Sequence, residues 1–215
     1  MKNLIIFDLD GTLLNTIADL AQSTNHALSK LGFPIHKEES YNLMVGNGIN
    51  KLFERALPEK ERNEGNILCM RKEFIRFYDE HNTDLSKPYP GIPELLKTLN
   101  RQGKGIAIAT NKYQTAAEKL INYYFPEISF ISILGQRDGI LPKPDPAIIY
   151  EIINIANVDK KEILYVGDSG VDMQTAINAE VTSCGVTWGF RSRNELDSYH
   201  PDYIINKAEE ILELI

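Results

Sequence analysis

The 215-residue sequence predicts an α/β fold: a doubly wound, Rossmann-like parallel sheet with a small all-helical cap. Three observations lead there. Short apolar runs recur along the chain and are nearly continuous in apolar character, as strands covered on both faces are. Stretches with helical apolar spacing separate most of these runs. One interval, from Asn15 to about Lys87, holds no good strand and is too long for an ordinary crossover.

The first run is LIIF, Leu4 to Phe7. Helical stretches follow over Ile17 to Leu31, Glu38 to Leu57 and Lys60 to His81, the last spaced on Leu68, Lys72, Ile75 and Tyr78. KPYPG, Lys87 to Gly91, has the proline and glycine of a hinge. The expected division is therefore a core of residues 1–14 and 88–215, with residues 15–87 inserted as the helical cap. Leu95, Leu96 and Leu99 then form a helical stripe before a second run, GIAIAT, Gly105 to Thr110. Ala116, Ala117, Leu120 and Ile121 make the next stripe, followed by FISIL, Phe130 to Leu134. Ile148, Ile149, Ile152, Ile153 and Ala156 precede ILYVG, Ile163 to Gly167. TSCGVTW, Thr182 to Trp188, and a short YII, Tyr203 to Ile205, complete the strands.

Composition narrows the function. Apolar residues are 43% and charged residues 25%, the balance of a soluble globular protein with a proper core. A net charge of -7 disfavours nonspecific binding to nucleic acid or to an anionic membrane surface, though a local cation cluster can still attract a small anion. Cys69 and Cys184 belong to no CxxC pattern and read as two buried free thiols in a reducing compartment. Asp8 cuts the first apolar run short, so no signal peptide is read, and no run approaches the length of a membrane span. The expectation is a cytoplasmic protein.

Unusual polar residues collect where strands end. Asp8 and Asp10 follow the first strand; Thr110, Asn111 and Lys112 follow the second. Lys143, in LPKPDP, lies in the loop after the third, and Asp168 and Asp172 follow the fourth. The C-terminal ends of parallel strands share one edge, where ligands bind, so these residues converge. Asp8, Asp10, Asp168 and Asp172 would repel one another without a counter-charge, which a hard divalent cation, Mg²⁺ beside a phosphate, resolves. His26, His36, His81 and His200 have no metal spacing, which argues against zinc. Lys143 adds a fixed positive charge, Thr110 a hydroxyl, and Gly11 and Thr12 backbone N–H groups near an incoming anion. Such a set suits a phosphoryl group. One carboxylate can attack phosphorus, and the other can move the leaving-group proton and then activate water; strand alternation puts residues i and i+2 on the same side.

Four motifs together, DLDGT (Asp8 to Thr12), the threonine of IATNK (Thr110), KPDP with Lys143, and GDSGVD (Gly167 to Asp172), resemble the haloacid dehalogenase superfamily in order and spacing. The resemblance implies Asp8 as nucleophile and Asp10 as general acid/base, with Thr110 and Lys143 binding the phosphoryl group. It implies Mg²⁺ held by Asp8, the backbone carbonyl of Asp10 and Asp168, with Asp172 supporting metal or lysine. It also implies that the helical insertion is a cap that closes over substrate. Members that dehalogenate lack a carboxylate at the place of Asp10, so this chain resembles the phosphatases. TNK (Thr110 to Lys112), VGNGI (Val45 to Ile49) and VTWGF (Val186 to Phe190) further resemble phosphoglycolate phosphatases. The loop Gly46, Asn47 and Gly48 could offer donors to a small carboxylate, and Asn111 joins the candidate substrate contacts. Lys112 and Arg191 are not counted among them, and Trp188 reads as core. Asn15 and Thr16 depart from the acid and serine of many relatives at the cap hinge. The expected activity is Mg²⁺-dependent hydrolysis of a small phosphometabolite through an aspartyl-phosphate. A sugar-phosphate mutase, a pyrophosphatase and a receiver-like phospho-acceptor module stand as alternatives.

Overall fold

A computed structural model describes all residues, 1–215. The chain begins with strand β1 (Leu4–Phe7) and a two-residue strand β2 (Leu14–Asn15). Helices α1 (Ile17–Lys30), α2 (Tyr41–Met44), α3 (Ile49–Ala56) and α4 (Glu64–His81) follow, and a second two-residue strand, β3 (Lys87–Pro88), closes this stretch. Helix and strand then alternate: α5 (Ile92–Arg101), β4 (Gly105–Tyr113), α6 (Gln114–Tyr124), β5 (Ser132–Gln136), α7 (Ala147–Ala156) and β6 (Ile163–Gly167). The chain ends through α8 (Gly170–Ala179), β7 (Thr182–Val186), α9 (Arg193–Asp197) and β8 (Tyr203–Ile205).

Six strands form one parallel sheet in the order β5-β4-β1-β6-β7-β8. The chain winds outward from β1 to β4 and β5, then crosses back to β6 on the other side of β1. Winding direction thus reverses at β1, and a crevice opens at its C-terminal end.

The four residues of β1 are fully buried. Ile5 and Phe7 pack with Leu95, Leu96 and Leu99 of α5 and Leu120 of α6. Leu4 and Ile6 pack on the opposite face with Ile148 and Ile149 of α7 and Ala176 of α8. Helices cover both faces, which is why the run is apolar throughout rather than alternating. Each such side chain stabilises the fold by about 1.5–3 kcal/mol.

The helical stretch has its own core, in which Leu20, Leu28, Tyr41, Phe53, Met70, Phe74 and Tyr78 pack together. Phe74 stacks on Tyr78 at 5.0 Å and meets Phe53 edge-on at 5.2 Å. The chain leaves and rejoins the sheet-bearing part through the antiparallel β2–β3 ribbon, where Asn15 pairs with Lys87. Asp19 of α1, fully buried, accepts hydrogen bonds from the backbone N–H of Leu85 and Ser86 and from the Ser86 hydroxyl.

Several expectations need correction. Leu68 is 58% exposed, and the buried face of α4 is instead Met70, Phe74 and Tyr78. Cys69 is exposed, and only Cys184 is a buried thiol. The Phe130–Leu134 run enters the sheet at Ser132, and the Thr182–Trp188 run leaves it at Val186. β4 does not stop at Thr110: it continues to Tyr113 through a register shift between Ala109 and Tyr113.

Candidate active site

The crevice at the end of β1 opens into a pocket of about 560 Å³ of empty space, its mouth included. Asp8, Asp10, Thr110, Asn111, Lys112, Asp168, Ser169, Phe190 and Arg191 line it from the sheet side. Leu20, Val45, Gly46, Gly48, Ile49 and Leu52 line it from the helical stretch.

Asp8 continues β1, its backbone N–H still bonded to the Val166 carbonyl. Its Oδ1 lies 3.0 Å from Lys143 Nζ. That contact lacks hydrogen-bond geometry, because Nζ donates instead to Ala109 O (2.9 Å), Tyr165 Oη (2.9 Å) and Asp172 Oδ1 (2.7 Å). Asp8 Oδ1 is thus a buried acceptor without a donor. Burial raises the Asp8 carboxyl from 3.8 to about 6; Lys143 opposes the rise, and Asp172 and Asp10 add to it.

Asp10, two residues on, faces the same pocket. Its Oδ1 accepts from Thr16 Oγ1 at 2.7 Å, and both its oxygens accept from Lys112 Nζ, at 3.0 and 2.9 Å. Lys112 also lies over the Tyr78 ring, 4.8 Å from its centroid. Thr110, Asn111 and Lys112, three consecutive residues, all line the pocket at the register shift that β4 carries between Ala109 and Tyr113.

Asp168 follows β6 directly and is 2% exposed. Its Oδ2 accepts from the Phe190 N–H at 2.7 Å and its Oδ1 from Thr12 Oγ1 at 3.4 Å. Burial first, then Asp172 and Asp8, push its carboxyl well above the usual carboxylate range, and the Phe190 N–H and Arg191 pull it back. Gly11, at φ +86°, and Gly189 make room for it: a Cβ on Gly11 would fall 2.4 Å from Asp168 Oδ2, and one on Gly189 2.2 Å from Asp168 Cβ.

Oxygens of Asp8, Asp168 and Asp172 lie within 4.8 Å of one another. A donorless buried oxygen on Asp8 and mutual repulsion among buried carboxylates are what a hard, oxygen-loving cation relieves, so the residues fit one.

The predicted residues take the following positions. Asp172 was expected to support metal or lysine; it is fully buried and both its oxygens are engaged. Oδ1 accepts from Lys143 and Tyr165, and Oδ2 from the Ser169 N–H and hydroxyl in the capping box that starts α8. It anchors the lysine. Asp10's side chain stands outside the carboxylate group, tied to Lys112 and Thr16. The N–H groups of Gly11 and Thr12, expected to meet an anion, close the turn onto Leu14 O and Leu9 O. Asn111 lines the pocket but its amide is committed: Oδ1 accepts from Lys143 N, and Nδ2 donates to the carbonyls of Lys143 and Gly46. Asn47 turns to Arg55 Nη2 at 2.7 Å and does not line the pocket, whereas Gly46 and Gly48 do. Lys143 lies beneath the Asp8 wall at 3% exposure. Lys112 and Arg191, set aside on the sequence, both line the pocket; the nearness of Lys112 to Thr110 was the one available signal. Trp188 packs against the core, donating Nε1–H to Thr12 O at 3.0 Å.

The chain matches the family model for haloacid dehalogenase-like hydrolases over residues 5–186. It is 33% identical over 218 residues to the phosphoglycolate phosphatase of Mannheimia succiniciproducens, covering 99% of this chain and 97% of the relative. The phosphoglycolate phosphatase of Vibrio parahaemolyticus is 32% identical, covering 99% of this chain and 95% of that protein. Among solved structures, a protein of Lactobacillus delbrueckii subsp. bulgaricus provisionally assigned as a phosphoglycolate phosphatase superposes with a TM-score of 0.93 at 31% identity, covering 100% of this chain and 99% of the other. A sheet wound about β1, carboxylates at its strand ends and full-length kinship agree, and the chain belongs to the haloacid dehalogenase-like hydrolases.

Proposed function

We propose that the protein is a phosphatase of small phosphomonoesters, of the phosphoglycolate phosphatase kind, acting through an aspartyl-phosphate. The observation that carries this reading is the donorless, buried Asp8 Oδ1 beside the Lys143 ammonium, with Asp10 two residues away in the same pocket. Asp8 lines the pocket, and its carboxylate is the nucleophile toward phosphorus. In the first half, Asp8 forms a bond to phosphorus, the bond from phosphorus to the leaving oxygen breaks, and Asp10 gives that oxygen a proton. In the second, Asp10 takes a proton from water, which attacks phosphorus and frees Asp8. Thr16 and Lys112 fix the direction of the Asp10 carboxyl. Thr110 supplies a hydroxyl to the phosphoryl oxygens, and Lys143, held by Asp172, supplies their counter-charge. Asp8, Asp168 and the backbone carbonyl of Asp10 would hold Mg²⁺, which neutralises charge on the carboxylates and the phosphoryl group.

Residues 15–87 serve as the lid and the β2–β3 ribbon as its hinge. Two bonds from the core reach the lid loop, Asn111 Nδ2 to Gly46 O and Arg191 Nη2 to Val45 O, and support a closed, water-excluding state. No observation favours a mutase or a pyrophosphatase. Purified protein with Mg²⁺ should release phosphate from 2-phosphoglycolate and from p-nitrophenyl phosphate, and Asp8→Asn should abolish both. Turnover retained by Asp8→Asn overturns the mechanism.

A further inference from the structure

The Lys112 ammonium is buried between two groups, one from each part of the molecule. On the sheet side are both oxygens of Asp10, at 3.0 and 2.9 Å from Nζ. On the other side is the ring of Tyr78 of α4, its centroid 4.8 Å from Nζ. A carboxylate and the face of an aromatic ring together compensate a cation for the water it has lost.

Tyr78 is fully buried, and packing fixes its ring: Phe74 stacks on it at 5.0 Å and Tyr113 meets it edge-on at 6.4 Å. Its hydroxyl has no hydrogen-bond partner. A buried hydroxyl left unpaired costs stability, so what this residue contributes is the ring. Tyr78 does not line the pocket, and Lys112 stands between it and Asp10.

Lys112 touches both ends of the proposed chemistry. Its backbone N–H donates to Thr110 Oγ1 at 3.2 Å, which uses that oxygen as an acceptor and leaves the hydroxyl proton to donate. At Asp10, Oδ1 accepts from both Thr16 and Lys112, while Oδ2 accepts from Lys112 alone. Oδ2 therefore keeps the open lone pair and is the oxygen suited to carry a proton.

We propose that Tyr78 is a positioning residue for proton transfer: its ring holds the Lys112 ammonium against Asp10 and so sets the direction in which Asp10 Oδ2 meets the leaving oxygen. This role rests on the phosphatase reading of Asp8 and Asp10. Tyr78 belongs to the packed core of the helical stretch, so the seating of residues 15–87 is felt at the acid/base itself and not only at the pocket mouth.

The test compares kcat/KM, with Mg²⁺ present, for two substrates. The alkoxide of 2-phosphoglycolate needs a proton to leave, whereas p-nitrophenolate leaves without one. Tyr78→Leu should lower kcat/KM for 2-phosphoglycolate roughly 10- to 100-fold, mostly through kcat, and that for p-nitrophenyl phosphate far less. Tyr78→Phe keeps the ring and drops only the unpaired hydroxyl, so it should restore the difference between the substrates. Lys112→Met leaves the core of the helical stretch intact and should show the same selective loss even where Tyr78→Leu does not fold; Lys112→Arg should recover part of it. An equal fall for both substrates in either variant overturns the proposal, for it marks a misplaced lid or a lysine that only binds phosphate. So does Tyr78→Phe behaving like Tyr78→Leu, and so does Lys112→Met with undiminished turnover of 2-phosphoglycolate. No phosphate release from either substrate by the unmodified protein overturns the phosphatase reading and the proposal with it, whereas equal falls in a working phosphatase overturn the proposal alone.

Discussion

Lys143 commits its N–H donors to Ala109, Tyr165 and Asp172, so it acts on Asp8 as a charge and not as a hydrogen-bond donor. Removing its anchor by Asp172→Ala leaves a buried ammonium without its closest carboxylate and should cost about 3–5 kcal/mol in urea unfolding; a loss below about 1 kcal/mol would show that the pair does not hold the site. Asp8 makes stability depend on pH. Its carboxyl is raised from 3.8 to about 6, so the folded state holds the proton where the unfolded chain has lost it. The stabilisation is complete below about 3.8 and disappears as pH rises through about 6. The metal-free protein should therefore lose on the order of 3 kcal/mol between those values through Asp8. Asp8→Asn should raise Tm at pH 7.5 and leave it little changed at pH 3.5; an equal rise at both pH values would contradict the burial of that charge. Asp8, Asp10, Thr110 and Asp168 were legible in the sequence because each stands at the end of an apolar run. Arg191 was not: it follows the Thr182–Trp188 run on a return loop, and only the approach of Val45 shows that it faces the pocket.

Among the elements, β4 shows how local irregularity recruits function. A regular strand ending at Thr110 was expected, but β4 runs on to Tyr113 through a register shift, with three consecutive residues lining the pocket, and no pattern of residue types announces such a shift. Helix α4 shows another boundary of pattern reading. Its sequence mixes apolar and charged residues on several faces, so Leu68 and Phe74 look equally buried until α1 is placed against it. Leu68→Ser should change stability by no more than about 0.5 kcal/mol, while Phe74→Ala should cost about 3–5 kcal/mol; similar losses would mean the helix is turned differently. The loop after β7 reaches back over the site through Gly189, whose absent Cβ leaves room for Asp168 and for Gly11 O, 2.4 Å from where that Cβ would sit. Gly189→Ala must push Asp168 aside, and a titration of Mg²⁺ against the protein should show affinity falling about 10- to 100-fold.

For the whole molecule, the parallel sheet and the all-helical stretch after its first strand were readable from the spacing of apolar runs, whereas the central place of that strand was not. The β2–β3 ribbon was not, because two residues carry no periodicity. The net charge of -7 likewise gave no sign of Lys112, Lys143 and Arg191 gathered at one edge. The central place of β1 has a consequence for the order of assembly. Leu4 pairs with Gly105 on one side and with Ile163 on the other. A chain emerging from the ribosome therefore carries its central strand without either neighbour while α1 to α4, whose contacts are close in sequence, can already collapse on one another. Nascent chains halted near residue 150 should accordingly protect α1 and α4 from proteolysis while leaving the β6-facing edge of β1 open to intermolecular pairing.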